Sequence, residues 1–186
     1  MIVIGTESFA WNENSITIGN DNNNCTEYSV IIGNNNRNQP IENVTSFIIG
    51  ENTDVCLDSI VIGQTAYVDN SIAIGYNTDV QRSSIVIGKS VEANRCSIAI
   101  GNCVKSSDYS TAIGHYTTAS YNSIAIGSNT CAGNYSIAVG RYSATGNDYA
   151  TAVGTYANIQ SYGTGIGACT VAHNSSTSIG YRARTN

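Results

Sequence analysis

Apolar, small and polar residues alternate in a fixed pattern that repeats along the whole chain. Fourteen pentapeptides related to Ser-Ile-Ala-Ile-Gly follow one another, most of them 13 residues apart. In each, two mostly β-branched residues flank a residue that is small in most repeats, and this period of two predicts a β-strand. A repeat this short predicts a parallel β-solenoid with one coil per repeat, an all-β fold of about fourteen coils. The repeat glycines are Gly5, Gly19, Gly33, Gly50, Gly63, Gly75, Gly88, Gly101, Gly114, Gly127, Gly140, Gly154, Gly167 and Gly180.

Coil positions are numbered here from the repeat glycine, so the small residue stands at position −2. The β-branched residues at −3 and −1 are predicted to fill the core inside each coil, and the residue between them must face the other way. Because that middle column is also apolar, we predict that it packs against another chain. The predicted coil core is represented by Ile72, Ile74, Ile98, Ile100, Ile124 and Ile126. The predicted inter-chain positions are Ala73, Val86, Ala99, Ala112, Ala125 and Ala138.

A second strand is predicted after the glycine, with small or apolar residues at +3 and +5, such as Thr117 and Ala119, closing the core. The glycine permits a corner between the two strands, and the serine at −4 suits a hydrogen bond at strand entry. The spacing widens to 17 residues between Gly33 and Gly50, which predicts a loop insertion near 34–45. Residues 1–186 are otherwise predicted to form a single repeat domain.

The composition narrows the functional classes. Charged residues make up 11% of the chain and the net charge is −5, which argues against nucleic acid as a partner. The charge is uneven, since residues 1–92 carry eleven acids and three bases, whereas residues 93–186 carry two acids and five bases. This asymmetry is either drift among surface residues or a means for molecules to stack head to tail.

Cysteine, histidine and serine patterns do not point to a chemical site. Cys25 and Cys56 share a coil position but lie two coils apart, too far for a disulfide, and there is no Cys-x-x-Cys. His115 and His173 are single residues far apart in the repeat, so we predict no metal, no cofactor and no catalytic site. Free or inter-chain thiols are the expectation.

Tyrosine interrupts the monotony of the surface. Nine of the twelve tyrosines lie from Tyr109 onward, at positions −6, −5, +1 and +2 of their coils. Exposed tyrosines suit contacts with glycans or proteins, and an alternative is ring stacking over the corners for stability. The predicted ligand surface is one edge formed by Tyr109, Tyr116, Tyr135, Tyr142, Tyr149, Tyr156 and Tyr162.

The hexapeptides Asn70-Ser71-Ile72-Ala73-Ile74-Gly75 and Asn122-Ser123-Ile124-Ala125-Ile126-Gly127 resemble the head repeat of trimeric autotransporter adhesins, the YadA-like head. The resemblance covers essentially the whole chain and also extends to fibres of phages and other viruses. It implies a left-handed parallel β-roll, three chains packed about an axis, binding to host matrix or cell surfaces, and no catalysis.

Two functions are therefore expected. The first is an adhesive head or fibre shaft, a homotrimer at the cell or virion surface that binds glycans or proteins. The alternative is a purely structural extracellular filament whose subunits stack head to tail. No apolar run is long enough to span a membrane, and the residues after Met1 read as repeat sequence, so no signal peptide is expected.

Overall fold

The computed structural model describes residues 1–11, 13–39, 45–146 and 148–185, and every regular element in those ranges is a β-strand. The chain falls into two compact units, Met1–Glu92 and Ala93–Asn186, each with seven repeat glycines. The coils make about fourteen turns of parallel β-solenoid, which confirms the predicted fold class. The assignment of residues 1–186 to a single domain stays a prediction.

The first unit begins with short strands and continues with strands that run through both segments of a coil. Like strands of successive coils pair in parallel and in register, so that Gly33 stands opposite Gly50. The strands are β1 (Ile2–Ile4), β2 (Phe9–Ala10), β3 (Ile16–Asn20), β4 (Asn23–Asn24), β5 (Val30–Asn34), β6 (Arg37–Asn38), β7 (Ser46–Val55), β8 (Ser59–Val68), β9 (Ile72–Val80) and β10 (Ile85–Ala93).

The second unit is more regular, with one strand before the glycine and a two-residue strand after it in each coil. The parallel register again places glycine opposite glycine, as with Gly114 and Gly127. Its strands are β11 (Ile98–Asn102), β12 (Lys105–Ser106), β13 (Thr111–His115), β14 (Thr118–Ala119), β15 (Ile124–Ser128), β16 (Cys131–Ala132), β17 (Ile137–Val139), β18 (Ala144–Thr145), β19 (Thr151–Val153), β20 (Asn158–Ile159), β21 (Thr164–Ile166), β22 (Val171–Ala172), β23 (Thr177–Ile179) and β24 (Arg184–Thr185).

The predicted insertion at 34–45 is only partly a departure from the coil. Arg37 and Asn38 form strand β6 and pair with Asp54 and Val55, so these two residues occupy ordinary coil positions. For them the loop prediction is wrong. Residues 40–44 lie outside the described residues.

In most coils four side chains fill the interior, at positions −4, −2, +3 and +5; the first and last coils are more open, and the coil of Gly167 has glycine at −4 and −2. In the coil of Gly114 these are Ser110, Ala112, Thr117 and Ala119, all of them buried. The prediction that +3 and +5 close the core is confirmed. The serine at −4 donates its hydroxyl to a backbone carbonyl at the corner, as from Ser110 Oγ to the oxygen of residue 107 at 2.6 Å. This bond confirms the structural interpretation of the repeated serine.

The predicted roles of the three columns before the glycine are reversed. The middle column is completely buried inside its own chain and cannot contact another one. The residues concerned are Ala73, Val86, Ala99, Ala112, Ala125 and Ala138. The flanking isoleucines point outward and are half-buried or exposed. These are Ile72, Ile74, Ile98, Ile100, Ile124 and Ile126.

The width of the coil explains the reversal. Two strands that close a coil of about 13 residues leave room for one small residue at −2 facing +3 and +5, and paired isoleucines would overfill that space. Ile159 and Gly165 show how tightly the sizes are matched, because a Cβ built on Gly165 would overlap the Ile159 side chain. Ile31 and Ile48, the largest residues of the −2 column, are likewise completely buried inside their own chain.

The interior of the first unit contains a ladder of polar side chains at position +3. The Asn22 amide donates to the Gly33 carbonyl at 2.6 Å, and Asn36 donates to Gly50 at 2.8 Å. Asn36 also donates to the Asn22 side-chain oxygen at 2.9 Å, and Thr53 Oγ1 donates to Asn36 Oδ1 at 2.8 Å. Each rung satisfies groups of the neighbouring coil, as buried polar atoms require.

A second column of buried polar side chains, at position +5, ends at Asn38. This end gives a testable prediction. Asn38 Oδ1 is buried without a hydrogen-bond partner, and the next residue in the column is Val55. We expect Val55→Thr to supply a hydroxyl donor and to leave the melting temperature unchanged or raised. Val68 lies in the same column but between apolar neighbours. Val68→Thr should therefore lower the free energy of unfolding by about 1–2 kcal/mol. Equal destabilisation of both variants in chemical unfolding would contradict this explanation.

Candidate interaction surface

The outward isoleucines at −3 and −1 form an apolar face on each unit. In the second unit Ile124 is 39% exposed and Ile126 is 38% exposed, on either side of the buried Ala125. The same two positions are exposed in the first unit, as with Ile60 and Ile62. Position −1 is Ile or Val in every coil, whereas position −3 is threonine in four coils of the second unit, at Thr111, Thr151, Thr164 and Thr177. A row of exposed apolar side chains of this kind marks an interface.

Two corners border this face, and both carry residues in the left-handed backbone region. Position −5 lies just before the face and position +2 just after it. In the coil of Gly114 these positions hold Tyr109, with φ of 58°, and Tyr116, with φ of 51°. A positive φ at a tyrosine is unusual, so the repeated corner geometry must be imposed by the coil.

The tyrosines predicted as one ligand edge occupy both corners, so they form two ladders. The first ladder follows the −5 corner, where Tyr135 stacks on Tyr149 at 5.0 Å between ring centroids and Tyr149 stacks on Tyr162 at 5.5 Å. Tyr121, which the sequence interpretation omitted, joins Tyr109 to Tyr135 through edge contacts at 6.0 and 5.4 Å. Tyr121 stands at position −6, next to the residue at −5 of the same coil. This adjacency was the feature of the sequence that could have placed Tyr121 in the ladder.

The second ladder lies at the +2 corner and carries a cation. Tyr142 stacks on Tyr156 at 4.9 Å, and the Arg141 guanidinium lies 5.5 and 5.9 Å from the two ring centroids. Tyr116 has an edge contact with His115 at 4.3 Å. The stacking is the arrangement that the alternative interpretation expects, while the contribution of the rings to stability and their role toward a ligand both stay predictions.

The first unit has a groove where the second unit has tyrosines. It has a volume of about 630 Å³ and runs between the −5 corner and the outward residues at −3. Phe47, Ile60 and Ile72 line its apolar side, and Asp58 and Asn70 lie on its polar side. The groove is thus continuous with the apolar face and extends it to the corner.

Three titratable groups among the described residues of the first unit have shifted pKa values. A hydrogen bond with Cys56 raises the pKa of Tyr67 to about 12, and burial raises the pKa of the Cys25 thiol despite nearby Arg37. Burial, with repulsion from Glu92, raises the pKa of Asp79. The shifts at Tyr67 and Cys25 favour the protonated phenol and thiol, the reverse of what activates a nucleophile.

The described ranges hold few features suited to binding a metal ion or entering a membrane. No three side chains of His, Cys, Asp or Glu lie together as metal ligands there, and the ion pair between Arg82 and Asp69 spans 3.7 Å. No helix suited to crossing a bilayer was found among those residues. The six cysteines, all within the described ranges, form no disulfide inside the chain.

Part of this repeat matches a known protein family. The model of the YadA head domain repeat matches residues 57–78, 106–130 and 132–157. These three segments are YadA-like head repeats. YadA heads belong to an adhesin family, form trimers in adhesins and are exposed at the cell exterior. A search of curated proteins found no match.

Proposed function

We propose that the chain is a non-catalytic adhesive head module that assembles as a homotrimer, with the isoleucine faces turned toward a common axis. The observation that carries the proposal is the outward face at −3 and −1, which is apolar at −1 in every coil and at −3 in most coils. Such a face is unfavourable in water and is buried when identical faces of three chains meet. The YadA-like repeat supports the same arrangement.

Binding at a cell surface or in a matrix is the second part of the proposal. Where the tyrosines stack, as from Tyr135 to Tyr162 and from Tyr142 to Tyr156, the rings cover one another's faces and present ring edges and phenol hydroxyls to a ligand. Tyr149, 55% exposed, and Tyr162, 61% exposed, are the most open members of the −5 stack described above. Glycans and proteins are the ligand classes that such a surface suits.

The trimer is tested by mass in solution. Light scattering after size exclusion should give three times the 19.6 kDa of one chain, independent of concentration. The variant Ile124→Arg with Ile126→Arg should fall to the mass of one chain and keep its strand signal in circular dichroism. The control Thr118→Arg with Cys131→Arg adds the same charge at the exposed +4 position and should remain trimeric. A monomeric wild-type chain would contradict the proposal.

The alternative of a head-to-tail filament is favoured by one observation, the opposite charge of the two units. Residues 1–92 have a balance of −8 and residues 93–186 a balance of +3, from the acids and bases counted above. A filament would give a broad mass distribution that grows with concentration and shrinks with added salt. A discrete trimer at every concentration excludes it.

A further inference from the structure

The residues at the two corners of a coil are matched in a way that the fold of one chain does not require. In seven consecutive coils, those of Gly75 to Gly154, the residue at −5 and the residue at +2 are of the same type. The pairs are Asn70 and Asn77, Ser83 and Ser90, Cys96 and Cys103, Tyr109 and Tyr116, Asn122 and Asn129, Tyr135 and Tyr142, and Tyr149 and Tyr156.

Contact within the chain does not explain the matching. The two corners lie at opposite ends of the strand before the glycine, roughly 20 Å apart at ~3.3 Å per residue. Both corners have a left-handed backbone, which favours Asn but gives no reason for paired cysteines or tyrosines. The matching therefore points to contact between two copies of the chain.

A ring of chains brings these corners together. If the isoleucine faces turn toward an axis that runs along the solenoid, the two ends of each face point at two different neighbours. Rotation about the axis then places the −5 corner of one protomer beside the +2 corner of the next, at the same coil. Like residues meet at each level, such as amide with amide and phenol with phenol.

We propose that matched corners form the seam between protomers, and that Cys96 of one protomer forms a disulfide with Cys103 of the next. Cys96 is exposed and Cys103 is half-buried, and neither is in a disulfide within the chain. The inference rests on the proposed trimer. It places the paired tyrosines at the seam, where their outward edges remain for a ligand.

The chemistry needs an external oxidant, for which oxidised glutathione is the probe. The Cys96 thiolate attacks the glutathione disulfide and releases one reduced glutathione. The Cys103 thiolate of the neighbour then attacks the sulfur of Cys96 in this mixed disulfide and releases the second glutathione. One sulfur–sulfur bond forms between protomers, and two thiols of glutathione carry away the protons and electrons. An oxidising cell exterior favours this product.

Proteolysis distinguishes an inter-protomer bond from any other. Trypsin cleaves after Arg95 and Lys105, which leaves both cysteines on one peptide, residues 96–105. A closed ring of three chains should release three copies of this peptide joined by three disulfides. A bond within one chain would instead release a single peptide lighter by two hydrogens, and this result would overturn the inference.

Single variants establish which corners meet. We expect Cys96→Ser and Cys103→Ser to abolish covalent species on non-reducing gels when each is oxidised alone. After the two variants are denatured, mixed and refolded together, covalent dimers should appear, because Cys103 of the first faces Cys96 of the second. Cys131→Ser, at the exposed +4 position, is the control and should cross-link like the wild type. Cross-linking in either single variant through the remaining corner cysteine would contradict the pairing.

The mass measured under reducing conditions separates this inference from the proposed function. A trimer that gives no linked 96–105 peptide after oxidation overturns the seam and leaves the trimeric module intact. A monomer under reducing conditions overturns both.

Discussion

Ala125→Arg should abolish the cooperative unfolding of the second unit, with a loss of more than about 4 kcal/mol. Ala125 has no exposed surface and lies inside the coil, so an arginine there either buries an unpaired charge or opens the coil. We expect loss of the strand signal in circular dichroism at temperatures where the wild type is folded.

Ile124→Arg is the matched control, since it places the same side chain on the adjacent residue of the same strand. Ile124 faces outward, so this variant should keep its secondary structure and lose only association. If Ala125→Arg remained folded and merely dissociated, the alanine column would face a partner, as the residue pattern alone predicts.

Gly114→Ala should destabilise the solenoid by about 3 kcal/mol or more and lower the melting temperature by about 10 °C. The φ of Gly114 is 147°, a conformation that is essentially restricted to glycine. A Cβ at this position would also overlap the carbonyl oxygen of Gly127 in the next coil. Strain and overlap act together because the coils pair glycine against glycine.

Gly146→Ala tests whether the loss of stability is specific to the repeat glycine. The nearest atom to a Cβ built on Gly146 is the Gln160 Cα at 3.4 Å, an ordinary van der Waals contact. We expect a change in the free energy of unfolding within about 0.5 kcal/mol. Comparable losses at Gly114 and Gly146 in thermal unfolding would show that the repeat glycine has no special role.

Much of the fold was accessible from the repeat. A period of about 13 residues predicts that the repeat glycines stand in register, and a strand-forming pentapeptide without helical periodicity leaves a parallel solenoid as the solution. The burial of Thr117 and Ala119 and the corner hydrogen bond of Ser110 also followed from alternation and local polarity. These features depend on neighbours in sequence or one coil away, which the repeat specifies.

The candidate interaction surface was harder to predict from the sequence. Which residues point outward depends on the space inside the coil and not on the residue pattern alone. The ladder from Asn22 to Thr53 was invisible as a network, since its partners are backbone carbonyls of the next coil. The sequence pattern placed both sets of tyrosines on one edge. Positions −5 and +2 are counted from the same glycine, and the count alone does not show that they lie at two separate corners of the coil.

The sequence by itself determined a repeating coil, its register and its corners, because a period of about 13 residues with a glycine at a fixed place admits few backbones. Only the tertiary structure decided which face of the strand before the glycine is inside. Alternation requires Ala125 and its isoleucine neighbours to point in opposite directions but leaves open which one points inward. The narrow space between two strands selects the alanine, and the isoleucines are left on the outside of the coil.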